Sequence, residues 1–221
     1  MRIVPLTDQP DWQSLLPRVE EIFFTSSAVQ QFTDDAHRAR FKARWFGRYL
    51  DNFPGSFFVA LAPTNLLPPS ETSLPPSPET SLLPPPERGR VGWGSKDSPQ
   101  NENVVGYLAG CLENPLRNPL FADLGYYQAF APLCASYPAH LHINVAAEVR
   151  SLGIGAGLIE AFAAQVAGVK APGLHLVTDE KARNVRFYQR NGFRILTTTL
   201  SHDIPVVFMG RRIDSSLGGA G

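Results

Sequence analysis

The run His140-Leu141-His142-Ile143-Asn144-Val145-Ala146-Ala147-Glu148-Val149-Arg150-Ser151-Leu152-Gly153-Ile154-Gly155-Ala156-Gly157-Leu158-Ile159 decides how this chain folds. Its first six residues alternate. Leu141, Ile143 and Val145 face one way, and His140, His142 and Asn144 the other, the period of a strand. Residues 146–152 form a turn. The glycines at 153, 155 and 157 then open a helix that reaches about residue 168, with Leu158, Ile159, Phe162 and Val166 as its apolar face. Residues 173–178 form the next strand. A glycine-rich turn at a helix start leaves backbone N–H groups pointing one way, and the helix dipole adds positive character there. Arg150 sets a fixed cation beside them. Strand, glycine turn, helix and strand together predict a phosphate or pyrophosphate site.

Two ligand classes use that geometry. A dinucleotide fold wants G-x-G-x-x-G and an acid near the end of the second strand. Asp179 stands 26 residues after Gly153, close to where that acid belongs, but Leu158 occupies the place of the third glycine. The remaining chain holds one helix and two strands, too few for further βαβ units. Coenzyme A is the other class. Arg150-Ser151-Leu152-Gly153-Ile154-Gly155 resembles the Arg/Gln-x-x-Gly-x-Gly/Ala signature of the GNAT acetyltransferase superfamily. Ile143-Asn144-Val145-Ala146-Ala147-Glu148 is similar to the strand end that precedes it, with Ala147 in place of the common proline. Tyr188-Gln189-Arg190-Asn191-Gly192-Phe193 resembles the family's tyrosine four residues before Gly-Phe. Where many members carry Asn seven residues before that tyrosine, this chain has Lys181, with Asn184 three residues later. Tyr137-Pro138-Ala139-His140-Leu141-His142-Ile143 also resembles acetyltransferase-like domains related to those fused to some O-GlcNAc hydrolases.

The resemblance covers residues 103–213 well and 1–62 weakly. It implies an α/β fold: a mixed, mostly antiparallel sheet of six or seven strands with flanking helices, whose parallel fourth and fifth strands splay apart to admit the pantetheine arm. It implies acetyl-CoA as cosubstrate, direct attack by an amine, and no metal. A catalytically inactive CoA-binding or interaction module of the same fold is the alternative. The turn residues Arg150, Ser151, Leu152, Gly153, Ile154, Gly155 and Ala156 would hold the pyrophosphate, and Asn184 would add a contact. Val145 would present its backbone to the thioester carbonyl, and Tyr188 would protonate the departing thiolate; otherwise Tyr188 is a packed aromatic. The base stays open between His142, Glu148 and Asp179. His142 is equally a hydrogen-bonded core histidine, Glu148 a solvated turn residue, and Asp179 a helix cap.

The rest of the chain supplies a frame. Residues 1–6 read as a strand, 11–29 as an amphipathic helix, 34–52 as a helix capped by Asp34 or Asp35, and 56–62 and 103–113 as strands. Between those two strands, 63–103 carries half of the chain's 20 prolines and two near-copies of one octet, PSETSLPP and SPETSLLP. Proline removes backbone donors, so this stretch is expected to be a disordered insertion in one domain spanning 1–213. A helix is expected near 126–136, strands at 194–199 and 205–213, and a flexible tail at 214–221.

Lys+Arg and Asp+Glu balance at 20 each among 221 residues, so no basic field points to nucleic acid or an anionic membrane. No run of 18 apolar residues marks a membrane span. The N-terminus turns polar too soon for a secretory signal. Two cysteines, Cys111 and Cys134, read as reduced, buried thiols in a cytoplasmic protein. The expected partner is a small-molecule or peptide amine, and a homodimer is compatible with all of this.

Overall fold

In a computed structural model, residues 1–27, 29–63 and 102–213 are described. Seven strands make one sheet: β1 (Arg2–Pro5), β2 (Phe57–Pro63), β3 (Glu102–Cys111), β4 (Ala139–Val145), β5 (Gly173–Asp179), β6 (Arg194–Ser201) and β7 (Ile204–Arg212). Their order is β1-β2-β3-β4-β5-β7-β6. All neighbours are antiparallel except β4 and β5, so the expected mixed sheet is present with seven strands.

The two sheet faces are covered differently. On one lies α6 (Ile154–Gly168), and β3 admits it by having no side chains at two positions. A Cβ on Gly110 would stand 2.4 Å from the Phe162 ring, and one on Gly106 3.4 Å from Ile154. α7 (Asn184–Arg190) follows β5. On the other face lie α1 (Leu16–Ser26), α2 (Asp35–Lys42) and α3 (Arg48–Asn52). They and the turn between α2 and α3 bury Phe23, Phe46 and Tyr49, and Phe46 packs edge-on against Phe57 and Tyr107 of the central strands, which stack on each other at 5.3 Å. Apolar burial on both faces supplies most of the driving force for the fold.

Several expected boundaries shift, each for a local reason. The single helix over 11–29 is instead a 3-10 turn, Trp12–Leu15, followed by α1. Pro17 has no N–H to donate, so it is tolerated in the first turn of a helix and not in its interior. The helix over 34–52 does form one continuous rod, but α2 and α3 are joined by a π-helical turn, Ala43–Gly47. Asp34 is its cap and accepts from the His37 N–H at 2.6 Å. The helix near 126–136 is two short turns, α4 (Tyr126–Ala129) and α5 (Ala131–Cys134), broken at Phe130 ahead of Pro132.

The proline-rich stretch begins later and ends sooner than expected. Pro63 pairs with Glu102 and Ala62 with Asn103, so the β2–β3 ladder takes in both ends. The expected insertion otherwise falls on residues 64–101, and the expected tail on 214–221; both lie outside the described residues.

Candidate active site

The site is built where β4 and β5 part. Ala146 N–H donates to Val105 O at 2.9 Å, which makes Ala146 and Val105 a hydrogen-bonded pair of the β3–β4 ladder. Antiparallel pairs alternate, so the backbone groups of Leu141, Ile143 and Val145 point away from β3, towards β5. Yet β5 pairs with β4 at only two positions, Ala139↔Leu174 and His140↔His175. Beyond them the strands diverge, and the backbone of Ile143 and Val145 faces an open wedge. This is the expected splay, and Val145 stands at its mouth.

The glycine turn lies at the same mouth. Ser151 and Gly153 both have positive φ, 68° and 79°. Gly153 is the N-cap of α6, and nothing stands within 4 Å of the place its Cβ would take. The first N–H of α6 to find a backbone acceptor is that of Gly157, which donates to Gly153 O at 3.0 Å. The N–H groups of Ile154, Gly155 and Ala156 belong to the unpaired first turn. Arg150 reaches back from this turn, its Nε donating to Val145 O at 3.3 Å, which ties the turn to the end of β4. Leu152 projects into solvent beside it, 64% exposed.

Gly155 has a different reason for being glycine from the one its sequence suggests. It is buried, and a Cβ there would lie 2.8 Å from Cζ of Phe187. The missing side chain lets α7 close onto α6, whereas Gly153 supplies the left-handed backbone and the open approach. The sequence alone attributes both to phosphate access; the structure divides the two tasks between them.

Tyr188, on α7, is 5% exposed and edge-packed against Phe187 and Phe193. Burial alone pushes the pKa of its phenol well above the ordinary value, and no described residue hydrogen-bonds its hydroxyl. Asn184, the first residue of α7, accepts from Thr178 Oγ1 at 3.2 Å and so fastens α7 to the end of β5. Asp179 is not a helix cap: its carboxylate accepts from Lys181 N–H at 2.7 Å and closes the turn after β5.

His142 lies on the opposite face of β4, half-buried, with Tyr49 and Trp45 edge-on at 5.2 and 5.4 Å. Burial, aided by the charge of Arg48, pulls its imidazole down to about 4, so it is neutral at pH 7. Neighbouring Asn144 donates to the buried Tyr107 hydroxyl at 2.7 Å. Glu148 is engaged elsewhere: its Oε1 lies 2.6 Å from the Arg18 guanidinium. A backbone N–H and Arg18 together hold its carboxyl below the usual range. A carboxylate so stabilised is a weak base.

Trp45, Tyr49 and Arg18 bear on His142 and Glu148, but the sequence marks none of them as a site residue. Trp45 and Tyr49 are four apart on one helical face, and that spacing was visible; it reads as core because most such stripes are. A surface concavity of about 670 Å³ lies away from all of this, between the C-terminal half of α6 and β6–β7. It has no strand wedge and no helix N-terminus, so the β4–β5 mouth is the candidate site. Among the described residues no His, Cys, Asp and Glu group could hold a metal ion, and no helix is long and apolar enough to cross a membrane.

Comparison with known proteins bears on this geometry. The structure resembles that of SsHAT at a TM-score of 0.61, with 20% sequence identity over 96% of this chain and 98% of that one. Weaker likenesses include Naa20 of Chaetomium thermophilum bound to a bisubstrate analogue, with TM-score 0.47, 18% identity, and 78% and 73% of the two chains covered. Another is a chain from Bacillus anthracis str. Ames described as a streptothricin acetyltransferase in complex with acetyl coenzyme A, with TM-score 0.38, 20% identity, and 52% and 58% covered. The chain thus has a GNAT-like fold, and its residues 100–195, which hold the wedge, the glycine turn and Tyr188, match the family model of the GNAT acetyltransferase domain.

Proposed function

We propose that this protein transfers the acetyl group of acetyl-CoA to a primary amine on a small molecule or peptide, by direct attack of the amine on the thioester. One observation carries the reading: β4 and β5 part after two residue pairs, and the open mouth they leave holds strand backbone that β5 leaves unpaired and an unpaired helix N-terminus side by side.

The residues fit an anionic, extended ligand. The unpaired N–H groups of Ile154, Gly155 and Ala156 take the pyrophosphate, with Arg150 as the neighbouring cation and Ser151, Leu152 and Gly153 shaping the turn. Asn184 holds the α7 side of the mouth. The Val145 N–H donates towards the thioester carbonyl and favours the charge that grows there. His142 is the base we prefer over Glu148, because its imidazole is neutral and has no hydrogen-bond partner among the described residues, while Glu148 is bound to Arg18. Tyr188 stays protonated at neutral pH and supplies a proton to the departing sulfur.

The reading extends to the reducing cytoplasm, since Cys111 and Cys134 are buried free thiols. It also keeps the subgroup related to the acetyltransferase-like domains of O-GlcNAc hydrolases, on the strength of the Tyr137–Ile143 motif. Calorimetric titration with acetyl-CoA, followed by thiol release with a panel of amines, tests it. Binding with acceptor-dependent thiol release is expected. Binding without release would favour a CoA-binding module, and no binding would remove the proposal.

A further inference from the structure

Arg18 sits where a helix does not favour a cation. It is the third residue of α1, and the dipole gives the first turn of a helix positive character. Helix formation therefore does not account for its place, but its contacts do. Its Nε donates to Val104 O at 3.3 Å, beside the register shift of the β2–β3 ladder. One terminal nitrogen meets Glu21 Oε2 at 2.9 Å within α1. The other meets Glu148 Oε1 at 2.6 Å, 130 residues along the chain. All three guanidinium nitrogens are engaged, and the side chain is only 24% exposed.

Glu148 is the far end of this link. It lies in the 3-10 turn Ala147–Val149, two residues before Arg150. A backbone N–H, Arg18 and, more weakly, Arg150 hold its carboxyl below the usual range, so two guanidinium groups act on one carboxylate. Arg18 is the one in contact. Arg150 forms no ion pair with another described residue, and its Nε is turned to Val145 O. Were Arg18 absent, Glu148 would keep its charge, and Arg150 would be the cation left acting on it. A carboxylate that draws in Arg150 harms an anion on the turn 150–156 in two ways. It takes the counter-charge, and it sets a like charge close by.

We infer that Arg18 is a positioning residue for acetyl-CoA: by holding Glu148, it leaves the Arg150 guanidinium to the pyrophosphate. The inference rests on the proposed function, which puts the pyrophosphate on that turn. Arg18 acts through Glu148 and Arg150 and needs no contact of its own with the cosubstrate. The first helix of the chain thus takes part in the coenzyme side of the mouth.

Calorimetric titration of the full chain with acetyl-CoA tests this. Arg18→Gln is expected to weaken binding about tenfold, within the coupling range of contacting charges. Arg18→Gln combined with Glu148→Gln removes both members of the pair and releases Arg150 again. It is expected to return to within about twofold of wild type. A merely structural Arg18 predicts otherwise, because the second substitution cannot restore a lost link between α1 and the turn. Arg18→Lys keeps a cation on Glu148 and is expected to bind like wild type; it and the double variant carry the test if Arg18→Gln does not fold. Wild-type affinity in Arg18→Gln overturns the inference, and so does a double variant or Arg18→Lys that binds at least tenfold more weakly than wild type. A wild-type chain that binds no acetyl-CoA is a different result, which removes the proposed function and this inference with it.

Discussion

Tyr188 and the two glycines of the turn are the residues whose chemistry can be separated most cleanly. The Tyr188 hydroxyl is buried, protonated and without a partner among described residues, while its ring packs on Phe187 and Phe193. Tyr188→Phe keeps that packing and removes only the proton donor. Turnover on an accepted amine should fall about 10²–10⁴-fold while acetyl-CoA affinity holds, the signature of an interaction made in the transition state. Equal turnover in the two proteins would return Tyr188 to the core. The glycines should fail differently. Gly153→Ala forces a Cβ into left-handed backbone, costing roughly 1–2 kcal/mol without crowding anything. Gly155→Ala pushes on the Phe187 ring and should disturb the α6–α7 contact, so it should change the near-ultraviolet spectrum or the Tyr188 environment where Gly153→Ala does not. At this scale the sequence brings Val145 and the turn 150–156 together, because they are local to one strand-turn-helix unit. It was a poor guide to their state. Nothing in the spacing of Glu148 reveals that Arg18, 130 residues earlier, holds it.

Elements were legible wherever their own residues dictate them. The alternation in 140–145 and the glycines after it are local signals, and β4, α6 and β5 came out within a residue or two of their expected limits. The misreadings come from prolines whose effect depends on position. Pro17 is acceptable only near a helix start, and that splits the segment over 11–29. The β2–β3 ladder allows a test at this scale. With one register shift after Ala60, it runs on to Pro63↔Glu102, so the two strands already stand as hairpin partners. Replacing residues 64–101 by a short Gly-containing turn should leave the melting temperature and the acetyl-CoA affinity of the protein unchanged, because long loops contribute little to closure beyond a slowly growing entropy. A drop of several degrees would mean that the removed residues pack on the domain.

The molecule as a whole buries two histidines in its interior and half-buries a third, and this sets its response to acid. His140 and His175 face each other where β4 and β5 still pair, and both are fully buried. His175 lies 2.5 Å from Tyr137 O through Nδ1 and stacks on Phe208, while His140 shares a 3.1 Å contact with the Tyr49 hydroxyl and has no partner for Nε2. Burial pulls His175 down to about 3 and His140 well below its ordinary value, and more open His142 falls to about 4. In the unfolded chain all three return to about 6.5. Below that value the unfolded state takes up protons that the folded state refuses, so stability is complete above about pH 6.5 and is lost as pH falls towards the folded values. Each fully buried histidine then costs roughly 2 kcal/mol by pH 5, a large share of the 5–15 kcal/mol typical of a domain. The urea midpoint should therefore fall steeply between pH 7 and pH 5, before the carboxylates begin to titrate. His175→Gln should lower stability at every pH but flatten this slope by about one proton, since glutamine does not titrate. A midpoint that stays level from pH 7 to pH 5, or a slope unchanged by His175→Gln, would show that the buried histidines are not what couples this fold to pH.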